Sequence, residues 1–308
     1  MRNPSTVPFI ESVFHPSDFS LASQHAFAHA LALSARRQTS LTMLHVVDDD
    51  AATDDWEGFP GVRETLEQWG LLEEGSPRSA VFDKLGIQVK KVNVRGNGAA
   101  DAIVKYLEKD QTDLIVLATE GRKGVARWLQ PSLAERLARR TKTMSLFVPA
   151  GSRGFVSLET GEISLRRILV PVDHQPDPRP AVIRAMRATA LAAGDPVEIV
   201  VLHVGESGRA PAIDLPEAPN CTWKTESRQG EVVEQILAAA EEYESDLIVM
   251  TTEGRDGILD ALRGGVTQQV VRGAHCPLLA VTVDRLAPPR TSPLAVTMTP
   301  GKGLPSLS

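Results

Sequence analysis

A twelve-residue stretch occurs twice in this chain, as Asp113-Leu-Ile-Val-Leu-Ala-Thr-Glu-Gly-Arg-Lys-Gly124 and as Asp246-Leu-Ile-Val-Met-Thr-Thr-Glu-Gly-Arg-Asp-Gly257. Nine of the twelve positions are identical, the exceptions being Leu117/Met250, Ala118/Thr251 and Lys123/Asp256. Each copy reads as a buried strand that runs into a glycine turn. Agreement of this kind marks a tandem duplication. The fold must therefore be one that is built twice within 308 residues, and about 150 residues per copy is an ordinary domain size.

Reading outward from each copy gives the same order of elements. In the first, Phe9–Phe14 reads as a strand ending in His15-Pro-Ser-Asp18, and Ser20–Arg37 as a helix with Leu21, Phe27, Ala28, Leu31 and Ala35 at helical spacing and Ser20 as N-cap. Ser40–Val47 is a second strand and Ile87–Val94 a third. Between them lie an acidic, turn-like stretch over 48–59 and helices over Val62–Leu72 and Ser79–Leu85. Helix Ala100–Lys109, the repeated strand, a short helix over Ser132–Arg140 and strand Met144–Val148 complete the copy. In the second, strand Arg167–Asp173, helix Ala181–Ala193, strands Val197–Val204 and Thr222–Glu226, helix Glu231–Tyr243 and strands Leu247–Met250 and Leu278–Val283 follow in the same sequence.

Strands that alternate with helices point to parallel βαβ units, and continuous apolar strands point to a sheet covered on both faces. The copies are unequal, because His45 to Asp113 is much longer than His203 to Asp246. The extra residues are expected to cover the ligand face of the first sheet. The division expected is 1–150 and 166–285 for the two domains, with 151–165 a connecting segment of hairpin character around Thr160-Gly161. Residues 286–308 read as a disordered tail rich in Pro, Thr, Ser and Gly.

Composition removes several classes of function. A net charge of −6 gives no basic footprint for nucleic acid, and no apolar run reaches the length a membrane span needs. The first residues are too poor in apolar side chains for a signal peptide. Cys221 and Cys276 have no metal-ligand spacing, and Cys276, before Pro277 and an apolar run, reads as a buried thiol. A cytoplasmic, reducing compartment is expected.

With this order of elements in place, both copies resemble universal stress protein domains. The residues that carry the likeness in the second copy are Ile168-Leu-Val-Pro-Val-Asp173, Leu202-His-Val204, Gly230, Asp246–Gly254 and Ala274–Val281. In the first they are Pro16-Ser-Asp18, Leu44-His-Val46 and Asp113–Gly121. The resemblance implies an α/β fold of two tandem, doubly wound, five-stranded parallel sheets in the order 3-2-1-4-5. It also implies a pseudo-dimer whose seam is the fifth strands, Ser145–Val148 and Leu278–Val281. In such a sheet ligands sit where the strand order reverses, between strands one and four.

Nucleotide-binding members of the family resemble the pattern Gly-x-x-Gly, nine residues, then Gly-Ser or Gly-Thr. Glycines let the backbone approach a phosphate, and a following helix N-terminus offers free N–H donors. The strand-one aspartate, Asp173 or Asp18, would accept hydrogen bonds from the adenine or ribose end. The alternative for each is a cap on the next turn or helix. The resemblance adds Val204 and Val46, at the end of strand two, to the site. The second copy keeps Gly254 and, nine residues on, Gly264, but has Thr251 for the first glycine and Gly265 for the hydroxyl residue. The first keeps Gly121 and Ser132, but has Ala118 and Pro131 where glycines are expected, and proline removes a donor. Ser132 with Glu135 also fits a helix cap. Glu253 and Glu120 would repel a triphosphate unless Mg²⁺ intervened. Arg255 and Arg122 either reach a phosphate or are solvated loop arginines. His45 and His203, inside strand two, read as core residues rather than bases.

The leading reading is a stress-response binding module with a degenerate ATP site, better formed in the second copy. A ligand-free scaffold read by partner proteins is the alternative, with further homodimer pairing left open. A slow ATPase is less favoured, because neither copy supplies a nucleophile–base pair or a metal cluster.

Overall fold

The computed structural model describes residues 10–47, 56–96, 98–119, 143–151, 154–206, 208–252 and 265–283. The first half contains β1 (Ser12–Ser17), α1 (Leu21–Arg37), β2 (Ser40–Val47), α2 (Val62–Gln68), α3 (Ala80–Leu85), β3 (Gln88–Arg95), α4 (Ala99–Lys109), β4 (Leu114–Thr119) and β5 (Met144–Pro149). The second contains β6 (Arg167–Val172), α5 (Arg179–Ala188), β7 (Val197–Val204), β8 (Cys221–Arg228), α6 (Val232–Glu242), β9 (Leu247–Thr252), α7 (Val266–Gly273) and β10 (Leu278–Thr282). The helix expected over Ser132–Arg140, the tail 286–308 and most of the acidic stretch lie outside the described residues.

All ten strands form one sheet, in the order β3-β2-β1-β4-β5-β10-β9-β6-β7-β8. Each half therefore has the order 3-2-1-4-5. Pairing is parallel within the halves and antiparallel at the seam, where Leu278 lies opposite Phe147 and Ala280 opposite Ser145. Joining β5 to β10 gives each apolar strand a partner for an edge that would otherwise be exposed. Because the seam is antiparallel, the carboxyl ends of the strands in the two halves point to opposite edges of the sheet.

Both faces are covered. Ile168 and Val170 pack in the layer that includes Phe27 and Leu31 of α1 and Ala181 and Val182 of α5. Leu169 between them faces the layer formed by Ile103 of α4, Ile236 of α6 and Val270 of α7. This is why central strands such as β4 and β9 are unbroken apolar runs, while the edge strands β3 and β8 are polar and largely exposed.

Several boundaries differ from the sequence expectation, and in three elements the structure shows why. The first strand is not Phe9–Phe14 but continues through His15-Pro16-Ser17. A proline in a central strand requires a missing rung, and Pro16 lies past the last rung to β4, which is Phe14–Ile115. Pro171 is placed likewise past Leu169–Ile248. Helix α5 starts two residues earlier than expected and stops at Ala188, tightening into a 3₁₀ turn over Thr189–Leu191. There the Thr189 hydroxyl donates to the Met186 carbonyl at 2.7 Å. Helix α2 stops at Gln68, since Gly70 has φ +71°. Trp69, its C-cap, instead donates Nε1–H to the Leu158 carbonyl at 3.0 Å. That carbonyl belongs to the segment between the halves, where Val156 bridges Ile163 in antiparallel fashion. Gly161 lies under the indole with φ +68°, and a Cβ there would fall 2.3 Å from Trp69 Cε3.

Candidate functional site

The crevice of each half is where strand one leaves strand four. In the first half the rungs between β1 and β4 are Val13–Leu114 and Phe14–Ile115. In the second, those between β6 and β9 are Ile168–Leu247 and Leu169–Ile248. Beyond them the strands part toward their carboxyl ends, which is the switch point of a doubly wound sheet. Asp18 and Asp173 directly follow β1 and β6 and stand at these two openings.

Their environments differ. Asp18 is half-buried and closes a local turn, accepting hydrogen bonds from Ser20 N–H at 3.1 Å and from the Ser20 hydroxyl at 2.6 Å. Ser20 in turn caps α1, its Oγ accepting from Ser23 N–H at 3.2 Å. Asp173 is exposed, and its Oδ1 accepts from the adjacent His174 N–H at 2.7 Å. The N-cap of helix α5 is Pro178, which has no side-chain oxygen to offer. The missing cap comes from across the crevice, where Thr251 Oγ1, buried on β9, accepts from Ala181 N–H at 3.1 Å. Thr251 therefore replaces a glycine of the phosphate-binding pattern for a structural reason. In the first copy the helix caps itself through Ser20, and Ala118 suffices at the corresponding position.

Below Asp18 runs a buried polar chain. His15 Nδ1 lies 3.0 Å from the Val116 carbonyl, which can only accept, so Nδ1 carries the proton. Nε2 then accepts from the Ser23 hydroxyl at 3.4 Å, Ser23 Oγ from the Ser17 hydroxyl at 2.9 Å, and Ser17 Oγ from Phe19 N–H at 3.2 Å. Burial drives the His15 pKa down to about 4. The corresponding positions of the second half are Val170, Val172 and Ala181, all buried and apolar. At these three positions the first crevice is polar and the second hydrocarbon.

His203 is buried in strand two, as its place there suggested, whereas His45 is half-buried. His45 Nδ1 donates to the Ser17 carbonyl at 2.7 Å and His203 Nδ1 to the Val172 carbonyl at 3.3 Å. Each pins the last residue of strand one. Val46 and Val204 are half-buried at the ends of β2 and β7.

Sequence reasoning missed an aromatic group over the first crevice. Phe19 has φ +61° and stacks on the His45 ring, with centroids 4.0 Å apart and planes within 15°. Trp56 meets Phe19 edge-on at 5.0 Å, and Phe59 lies 5.5 Å from it. Trp56 is held by Nε1–H to Asn93 Oδ1 at 2.8 Å and carries Lys91 Nζ 4.9 Å from its ring centre. Trp56 and Phe59 belong to the extra length of the first copy, and their aromatic character was the available signal. In the second half, among the described residues, no ring stacks on His203.

Of the site residues expected from sequence, Asp18, Val46, Asp173, Val204, Thr251 and Gly265 are placed by the structure. Gly265 is the N-cap of α7 and provides no side-chain cap. Gly121, Arg122, Ser132, Gly254, Arg255 and Gly264 lie outside the described residues, as do Glu120, Pro131 and Glu253. Among the described residues there is no cluster of three or more His, Cys, Asp or Glu able to hold a metal ion. No helix there is long and apolar enough to cross a membrane.

With this geometry in place, comparison with known proteins is decisive at the level of family. The model of the universal stress protein family matches residues 11–149 and 212–282, well over half of the chain. The chain belongs to the universal stress protein family. The match passes over β6, β7 and Asp173, whose place in a second copy rests on the mirrored strand order. A universal stress protein of Mycobacterium tuberculosis is 22% identical, over 85% of this chain and 94% of that one. A second, from Methanocaldococcus jannaschii, is 42% identical over 57 residues, 18% of this chain and 34% of that protein. The crystal structure of a universal stress protein from Archaeoglobus fulgidus superposes with a TM-score of 0.56 at 15% identity, covering 88% of this chain and 98% of that one. That likeness speaks for the universal stress protein fold in tandem form.

Proposed function

We propose that this universal stress protein is a cytoplasmic regulatory module that binds ATP, with Mg²⁺, in the crevice of its second half. The supporting observation is Asp173. It is exposed at the switch point and, among the described residues, its carboxylate accepts from the adjacent His174 N–H, which leaves lone pairs to accept from a ribose hydroxyl or an adenine amine. Asp18 has turned inward to Ser20. The phosphates would lie toward Gly254, Gly264 and Gly265, with Arg255 next in sequence to Gly254. There α7 begins without a side-chain cap, leaving first-turn N–H groups for an anion. Mg²⁺ would offset Glu253. We assign 1–150 and 166–285 to the two domains, joined by 151–165. The role is regulation through bound nucleotide rather than turnover.

Equilibrium binding of labelled ATP to the full chain, with and without magnesium, tests this reading. Binding that Asp173→Ala removes and Asp18→Ala leaves in place is the expected result. Absence of binding at millimolar ATP overturns it and favours a ligand-free scaffold. Sustained phosphate release lost in Asp173→Ala would instead make the protein an ATPase.

A further inference from the structure

We infer that the first crevice is filled by the chain's own aromatic side chains in place of a base, so that the protein takes one nucleotide rather than two. The inference rests on the nucleotide reading of the second crevice and extends it to the number of sites. If the strand-one aspartate meets the ribose or base while the phosphates follow strand four, the base belongs over the ends of strands one and two. In the first half that position is occupied. Phe19 lies flat on His45 in the parallel geometry a nucleobase would adopt, 4.0 Å between centroids. Trp56 and Phe59 close the group from the side of the insert.

Four further observations indicate a built closure rather than an accidental contact. Phe19 holds a left-handed backbone, φ +61°, that a bulky residue adopts only when its surroundings demand it. Its own N–H is fixed by Ser17 Oγ. Trp56 is anchored to Asn93 on β3. Phe59 is buried and packs edge-on against Phe27 of α1, 5.3 Å between centroids. The residue after the aspartate in the second half, His174, points elsewhere, its Nε2–H donating to the Arg209 carbonyl at 2.9 Å. Asp18 has correspondingly been turned to Ser20. The duplicated site has thus become a packing element that seats the insert.

Photo-crosslinking of the full chain with 8-azido-ATP and magnesium, followed by peptide mapping, tests the closure. The parent protein is expected to label in the second half only. Phe19→Gly, which suits the left-handed backbone, and Trp56→Ala each open the position and are expected to raise first-half labelling at least fivefold. Circular dichroism confirms that each variant is folded. If Trp56→Ala does not fold, Phe19→Gly decides alone. First-half labelling of the parent overturns the inference, as does a folded Phe19→Gly that labels no more than the parent. If the parent labels nowhere, the nucleotide reading of the second half fails. First-half labelling of Phe19→Gly in that case still sustains the closure.

Discussion

His15 and His29 should make this fold acid-sensitive, and His15 allows the effect to be isolated. Both side chains are buried, at 0% and 2% exposure, and burial brings both pKa values to about 4 from an ordinary 6.5. A folded pKa below the unfolded one means that the unfolded chain takes up the proton first. The stability this neutrality contributes is therefore complete above about pH 6.5 and is lost as pH falls through 4. A displacement of that size corresponds to about 3 kcal/mol per histidine once the fall is complete, and about 2 kcal/mol of it is gone by pH 5. Two such groups account for a large share of a typical stability of about 5–15 kcal/mol.

The second half contains the apolar counterpart of the His15 group, with Val170, Val172 and Ala181 where the first has His15, Ser17 and Ser23. The triple substitution His15→Val, Ser17→Val, Ser23→Ala should therefore fold. Its urea-unfolding free energy should fall between pH 8 and pH 5 by about 2 kcal/mol less than that of the parent. His15→Val alone should cost about 1–3 kcal/mol at pH 8, because it strands the Ser23 hydroxyl and the Val116 carbonyl. Equal pH dependence of the parent and the triple variant would refute the argument.

The remaining predictions concern caps, a close approach and a thiol. Thr251→Val should lower stability by about 1–2 kcal/mol in urea unfolding, since it removes the acceptor of a buried helix N–H while keeping shape. Ala118→Thr in the first half should give no matching gain, because α1 is capped by Ser20. Asp18→Ala should cost about 1 kcal/mol through the Ser20 turn, whereas Asp173→Ala should leave the unfolding midpoint nearly unchanged. Gly161→Ala should destabilise by more than about 1 kcal/mol, combining a left-handed φ with a collision with Trp69, and should raise proteolysis between the halves. Cys276 is buried and its pKa is pushed up to about 12 by desolvation. Half-exposed Cys221 should therefore react with a thiol reagent at pH 8 long before Cys276 does.

The duplicated twelve residues, the alternation of strands and helices, and unbroken apolar strands made the class of fold legible. These signals are local: a central strand such as β4 or β9 is buried on both faces, whereas the edge strands β3 and β8 are largely exposed, so composition reports place in the sheet. Some element ends were not legible, because they depend on groups far away in sequence. Pro16 sits within β1 only because β4 has already parted from it. Helix α5 could not be started correctly from Pro178, because its cap is Thr251 on another strand. The strand order that the resemblance implied is the order observed, and strands one and four part toward their carboxyl ends in both halves.

By itself the sequence determined that the chain is built twice, which apolar stretches are strands, and that Asp18 and Asp173 follow equivalent strands. The resemblance had implied the fifth-strand seam; tertiary structure decided that it is antiparallel, which puts the two crevices at opposite edges of one ten-stranded sheet. It also decided that the equivalent aspartates differ in role. Asp18 is bonded to Ser20, and the adjacent Phe19 is packed by Trp56 and Phe59, distant in sequence, while Asp173 remains open to solvent. The physical reason is that a carboxylate's chemistry is set by the donors and the solvent around it. Those are fixed only when remote segments pack together.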